Sequence, residues 1–477
     1  MMMNYRLIIF IICTFFLASC SKNFLDKEPN NSVSNESLLT TKLGIQSALN
    51  GCYNDLQSYN YYGRNFILIN EVYSDNAKLS KNNLGNFSSF YNYSVTTDND
   101  ELTQFWATAY RIIANSNNIL KSIPKINEFS EVEKNTIIGE ALTLRSLVYF
   151  DLVRMFAHSY STNAVTGILG ADGKGGNLGV PLVTETITKD SAQYISRSTV
   201  SQVYKQIIID LTLADSLLTA QTFSPYYCNQ KLTESLLSFI YLSKKDYNNA
   251  ISFADKVIES MDLVTSNEYI DSWGLESTSE SIFSIAMNST DYPGTNSIGH
   301  MLSPEGYGGL IPTQDLISLY KSNDIRLQFI KNVQENYFIK YSGRNGILGL
   351  DNIPVIRLSE LYFVIAESYA QKGKNVAGFY PLAQDALEQI VHRAENSSVP
   401  ITLEGDELLN KIYDEYRKEF AFEGKRFFQL KRLGKNIERN DCNSSICDIS
   451  YPNNYYAFPI PNSELHTNKN IIQNPGY

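Results

Sequence analysis

The chain has 477 residues, 43% hydrophobic and 19% charged, with a formal net charge of -10. Such a length and apolar share support a large buried core, while the acidic balance and the lack of any Lys/Arg-rich block argue against a nucleic-acid partner. Aromatic residues make up 12%, from 32 Tyr and 24 Phe but only 2 Trp, which suits both a tyrosine-filled helical core and a surface that meets polar ligands through rings and hydroxyls.

Residues 1–19 read as an export leader. Arg6 precedes Leu7–Leu17, an apolar run too short to span a bilayer and of the length of a signal h-region. The run closes on Leu17-Ala18-Ser19-Cys20, which resembles the lipobox of bacterial lipoproteins, where the Cys is acylated and becomes the mature N-terminus. Cys20 is therefore the expected lipid anchor, residues 20–40 a polar tether, and 41–477 the folded domain. No later stretch is apolar for long enough to span a membrane, so anchoring rather than insertion is expected.

Thr41–Tyr59 has a helical pattern with Leu43, Ala48, Leu49 and Tyr53 inward. From residue 60 to 100 Asn, Ser, Gly and Tyr dominate and periodicity fades, the mark of a long loop-rich insertion. A helix over Glu101–Ile123 stops before Pro124. The next, Ile137–Phe156, is apolar over so much of its circumference that it must be packed on several sides. Arg145 breaks that apolar arc. A buried guanidinium needs a partner, so Arg145 is read as a structural ion-pair residue rather than a ligand contact.

The Gly-rich stretch 159–179 fails the phosphate-loop pattern, because Gly173-Lys174 is followed by Gly175, and reads as a surface loop. Helices are predicted over Arg197–Leu218, Leu232–Leu242 and Tyr247–Ser260. The last two are joined so tightly that they must lie antiparallel, with Tyr247, Ala250 and Ala254 similar to a tetratricopeptide pattern. A second pair falls at Val355–Lys372 and Pro381–Arg393. Between the pairs lies an irregular insertion over 287–350, preceded by a short strand at Ser281–Ala286. The charge run within Leu408–Leu433, taken alone, reads as a solvated helix face, and the Pro-punctuated end of the chain lies extended against the body.

Candidates for chemistry are few. Glu360 and Glu367 share one helix face, but seven residues is about 10.5 Å of rise, beyond the roughly 5–9.5 Å of a glycosidase pair. Pairing with Arg145 or with the basic C-terminal segment suits them better. His158, His300, His392 and His466 are scattered without metal or nucleophile spacing. Cys442 and Cys447 fit a short disulfide loop in an exported protein. Cys52 and Cys228 read as buried thiols, and neither a metal site nor a cofactor is expected.

Several segments together resemble the SusD/RagB family of Bacteroidetes outer-membrane lipoproteins. They are Gly139 to Arg154, Gly179-Val180-Pro181-Leu182, Arg197–Val200 (with Ser196 where Pro is usual), Asp324-Ile325-Arg326, Arg357 to Tyr369, Glu419 to Arg426, and Pro459 to Tyr477. Tyr416 stands where Arg is common and Gln429 where Asp is common. The resemblance implies a mainly α fold, a tetratricopeptide-like helix-pair superhelix of four pairs, with large loop-rich insertions near 60–100 and 287–350 on a ligand-binding side. It implies a non-enzymatic surface protein that captures an oligosaccharide, or in some branches a peptide or other nutrient, as the lid of a SusC-like TonB-dependent transporter. A secreted glycan hydrolase would need a convergent acid/base pair, and a bare repeat scaffold would not need the insertions. Ligand residues vary within the family. Asp75-Asn76 matches a frequent Asp-Asn near the ligand loops, and Tyr91, Tyr93, Tyr292 and Tyr307 are the aromatic candidates, each set among Gly, Asn, Ser or Pro.

Overall fold

Side-chain caps set where most of the helices begin. In the computed structural model, which describes residues 39–187, 189–220 and 222–477, Thr41 opens helix α1 (Lys42–Gln57) by accepting the Gly44 N–H. Leu43, expected to point inward, sits in that first turn and is 74% exposed. α2 (Asn65–Val72) lies inside the first insertion with every residue buried. A helix without an exposed face has no apolar stripe, which is why periodicity fades there. Asn99 caps α3 (Asp100–Ser122), whose first turn places Asp100 and Glu101 at the positive helix end. A Ser130/Glu133 capping box starts α4 (Glu131–Phe156) well before the apolar run from Ile137. From Gly139 to Phe156 every residue of α4 but Arg154 is buried. Gly139 is required at a close approach, because a Cβ there would lie 2.6 Å from the Leu218 side chain.

A Thr199/Gln202 capping box starts α5 (Val200–Leu217), since Arg197–Thr199 is taken by a strand. α6 (Gln230–Ser243) is capped by Asn229 and α7 (Tyr247–Ile258) by Asp246, with Lys245 left-handed in the turn between them. α8 (Leu358–Gly373) and α9 (Tyr380–Glu395) form the next pair, and α10 (Gly405–Glu419) and α11 (Arg426–Leu433) follow. Neighbours pack in succession: α1 on α3, α3 on α4, α4 on α5, α5 on α6, α6 on α7, α7 on α8, α8 on α9, and α10 on α8. The result is the expected mainly α superhelix of tetratricopeptide-like pairs.

Among the described residues eight short strands make four antiparallel pairs. β1 (Ala77–Leu79) pairs with β5 (Leu310–Pro312), and β2 (Leu178–Pro181) with β3 (Arg197–Thr199). β4 (Ser281–Ile285) pairs with β8 (Ile353–Arg357), and β6 (Ile330–Asn332) with β7 (Asn336–Phe338). β8 takes the first residues of the segment predicted as helix from Val355, so α8 begins at Leu358. Cys442 and Cys447 are disulfide-bonded, and Cys52 and Cys228 are free and buried. Among the described residues no helix is long and apolar enough to cross a membrane.

The C-terminal charge run is not a solvated face. It breaks into α10 and α11 at a turn where Phe422 and Gly424 have left-handed φ of 62° and 75°, and its charges turn inward. Glu419 is fully buried and accepts from Arg393 at 2.7 Å, Arg357 at 3.1 Å, Arg326 at 3.2 Å and Tyr269 at 2.9 Å. Glu415 meets Arg326, Lys411 and Lys418, while Glu423 meets Arg357 and Lys340. Asp324 grips Arg326 through two bonds of 2.9 and 2.7 Å. Buried charges of both signs close on one another, which is what allows them to leave water. Four successive segments are thereby joined: the second insertion, β8, α9 and α10.

Candidate functional site

The ion-pair candidates are engaged within the helical body. Arg145 donates to both oxygens of Asp210 at 2.9 and 2.8 Å, and its remaining nitrogen to Asn117 and the Thr184 carbonyl. Glu367 accepts two 2.6 Å bonds from Arg432. Glu360 accepts from Lys425 at 2.5 Å and Tyr416 at 3.0 Å. Both partners on the basic side come from the C-terminal segment, not from Arg145.

Asp75 and Asn76 are buried and internally satisfied. Asp75 receives Arg426 through two 2.8 Å bonds and lies 3.4 Å from Arg417. Burial opposes its charge, but Arg426 and Arg417 outweigh burial and hold its carboxyl at about 2. Asn76 donates to Glu71 at 2.9 Å and accepts from Arg417 at 2.8 Å. Both side chains are buried and spoken for, so this pair ties the first insertion to α10 and α11.

Tyr91 and Tyr93 are likewise 1% and 4% exposed. Both rings face the Arg439 guanidinium at 4.6 Å, the Tyr91 hydroxyl accepts the Asn443 N–H, and the Tyr93 hydroxyl donates to the Tyr73 carbonyl. They pin the disulfide-bearing segment instead of presenting open faces, a burial created by residues hundreds of positions away. Tyr292 is half-buried, and Tyr307 remains 41% exposed.

Of the exposed aromatic residues, Tyr59 and Tyr307 belong to the two insertions, while Tyr194, Phe223 and Tyr227 lie elsewhere. The β1–β5 pairing joins the two insertions, extended by Ser80 N–H to the Gly309 carbonyl at 3.0 Å and Asn83 to the same carbonyl at 2.8 Å. On this seam Arg64 lies over the Tyr59 ring, with its guanidinium carbon 4.9 Å from the centroid, and 5.7 Å from that of Phe87. Its Nε donates to Asn65 and one Nη to Asn296 in the second insertion at 3.0 Å. Burial lowers the Arg64 pKa, opposed by Tyr59, Glu101 and Tyr307.

Tyr59 and Tyr307 are each 41% exposed and Leu84 is 82% exposed. Rings flanking a guanidinium fork can hold the apolar face of a ligand while the fork donates to its oxygens. Of the aromatic set expected here, Tyr307 belongs to this patch. Tyr59 and Arg64 escaped sequence reasoning, although the Tyr59–Arg64 stretch, with three tyrosines and a Gly-Arg step, carries a visible signal. Among the described residues no His/Cys/Asp/Glu group could hold a metal ion.

Comparisons with known proteins agree with this architecture. A family model described as starch-binding, associating with outer membrane, matches residues 23–242, and the SusD family model matches 331–477. "SusD-like protein P2" of Formosa agariphila is 24% identical over the whole of both chains. "Starch-binding protein SusD" of Bacteroides thetaiotaomicron is 28% identical over 26% of this chain and 22% of its own. Among solved structures, one described as a sugar binding protein from Bacteroides vulgatus is 30% identical, covers 91% of this chain and 98% of its own, and superposes with a TM-score of 0.80. A SusD superfamily protein from the same species gives 26% identity and a TM-score of 0.81, with 91% and 98% covered. With both family models falling in order along one chain and the helical frame shared over nine-tenths of its length, the chain belongs to the SusD/RagB family.

Proposed function

We propose that this protein is a surface-exposed outer-membrane lipoprotein, anchored through Cys20 with residues 20–40 as tether. It binds an oligosaccharide on the seam between the two insertions and delivers it to a SusC-like TonB-dependent transporter as its lid. The observation that carries the binding reading is the exposed Tyr59 ring on Arg64, which bonds Asn296 of the second insertion, the insertion that also bears the exposed Tyr307. Sugar rings present C–H faces to aromatic rings and hydroxyl pairs to a guanidinium fork. The names of relatives point the same way, one as starch-binding and one as sugar binding. Capture without bond cleavage fits the carboxylates Glu360 and Glu367, which are both committed to ion pairs.

Two measurements test this. Calorimetry of the leaderless protein against a panel of neutral oligosaccharides, starting with maltooligosaccharides, should find a ligand. Tyr59→Ala/Tyr307→Ala should then weaken it by at least about tenfold, the value of about 1.4 kcal/mol of lost stacking, with an unchanged far-UV helical signal. Unaltered affinity in that variant would place the glycan elsewhere. For the anchor, Cys20→Ala in the expressing cell should move the protein out of the membrane fraction. Retention there would remove Cys20 from the role.

A further inference from the structure

Six helices enclose a second space. A cavity of about 80 Å³ lies between α4, α5 and α6 on one wall and α8, α10 and α11 on the other. It shares Ser243, Glu367, Tyr413 and Arg432 with a polar groove of about 620 Å³ that opens outward past Gln371 and Asn410. The cavity holds room for several waters and is lined by aromatic rings as well as charges.

The charges on its wall are unevenly satisfied. Glu360 is paired with Lys425, Glu367 with Arg432, and Arg154 with Asp151, so these six cancel. Lys431 does not cancel. It is 2% exposed, forms no ion pair among the described residues, and donates one bond, at 2.6 Å, to the Arg154 carbonyl near the end of α4. That bond answers a helix C-terminus and leaves two N–H groups of the ammonium over. Two further polar atoms on the same wall are buried without a partner, Arg154 Nε and His158 Nδ1. Arg154 is held between the Phe150 and Phe428 rings, at 4.1 and 4.5 Å, so its orientation is set before anything enters. An unmatched buried cation beside two unanswered nitrogens is costly unless something completes them.

We propose that this cavity is a second binding site, distinct from the seam of the insertions, which receives a carboxylate group on Lys431, Arg154 Nε and His158. The rest of the ligand lies in the polar groove. A carboxylate supplies the missing negative charge and has acceptor capacity for several donors at once. Its size suits a cavity too small for a whole sugar ring but open to a groove that is not. Burial and, after it, Arg154 push the Lys431 ammonium well below the ordinary lysine range, so an entering carboxylate also stabilises the charged amine. The carboxylate could belong to a uronic acid or to a peptide C-terminus, and the two have the same end chemistry.

Thermal melting of the whole leaderless chain decides it, with sodium glucuronate and N-acetylglycine as probes. Glucose and N-acetylglycinamide serve as neutral counterparts, and sodium chloride equalises ionic strength. At least one acid should raise the melting temperature with concentration, while the neutral molecules and chloride do not; which acid acts names the source. Lys431→Met should lower the affinity for that acid at least about tenfold, the loss of one charge-assisted bond. Ser243→Leu, which fills the shared rim and leaves every charge in place, should do the same if Lys431→Met fails to fold. Tyr59→Ala/Tyr307→Ala should keep the response in full, so this site and the glycan seam stand or fall separately. No rise with either acid, an equal rise with chloride, or a rise undiminished in Ser243→Leu would each overturn the proposal.

Discussion

Arg145 shows how a single residue can announce its own role. A guanidinium in the middle of an apolar arc needs a fixed anion, and Asp210 provides both oxygens within a pair of side chains 4% and 3% exposed. Arg145→Leu strands that carboxylate and should cost about 3–5 kcal/mol in chemical denaturation, and adding Asp210→Leu should return much of the loss. A variant that melts like the parent would refute the structural reading. Asp75, Asn76, Tyr91 and Tyr93 were not legible in the same way. Their local composition is that of an open loop. What buries them is Arg417, Arg426 and Arg439, more than 300 positions further on, and no local pattern encodes that distance.

Among elements, the long helices were readable because caps and apolar stripes are local. The failures fall where a backbone changes direction for a distant reason. β8 claims residues that continue the apolar pattern of α8, because β4 offers a hydrogen-bonding edge. α10 and α11 separate at Gly424, whose φ of 75° favours glycine and where an added Cβ would sit 2.8 Å from the Ile67 Cα. Since α2 is buried throughout, Ile67 cannot retreat. Gly424→Ala should therefore destabilise by more than about 1 kcal/mol. Gly378→Ala, where nothing lies within 4 Å of the added carbon, should be close to neutral. Equal denaturation midpoints for the two would show that the turn is not under this constraint.

For the whole molecule, the buried ionic network makes stability a function of acidity. Glu415 is held at about 2, where burial is outweighed by Arg326, Lys418 and Lys411; Asp75 is held at about 2, and Glu419 well below the usual carboxylate range. A carboxylate whose pKa is depressed by folding stabilises fully above its unfolded value, near 4, and loses that contribution as pH falls toward the folded value. Stability should thus drop steeply between about pH 4.5 and 2. Glu415→Gln should be less stable at neutral pH and lose less over that window. An identical pH slope in parent and variant would contradict the assignment.

The same network bears on biogenesis. Arg326, Lys340 and Arg357 precede their counter-ions Glu415, Glu419 and Glu423 in the chain, and any polypeptide is synthesised from its N-terminal end. Arg326 has Asp324 beside it from the start, but Lys340 lacks its counter-ion until the turn after α10 supplies Glu423. The second insertion can therefore close its ion pairs with the body only after the C-terminal helices are present, however early the preceding helix pairs have formed.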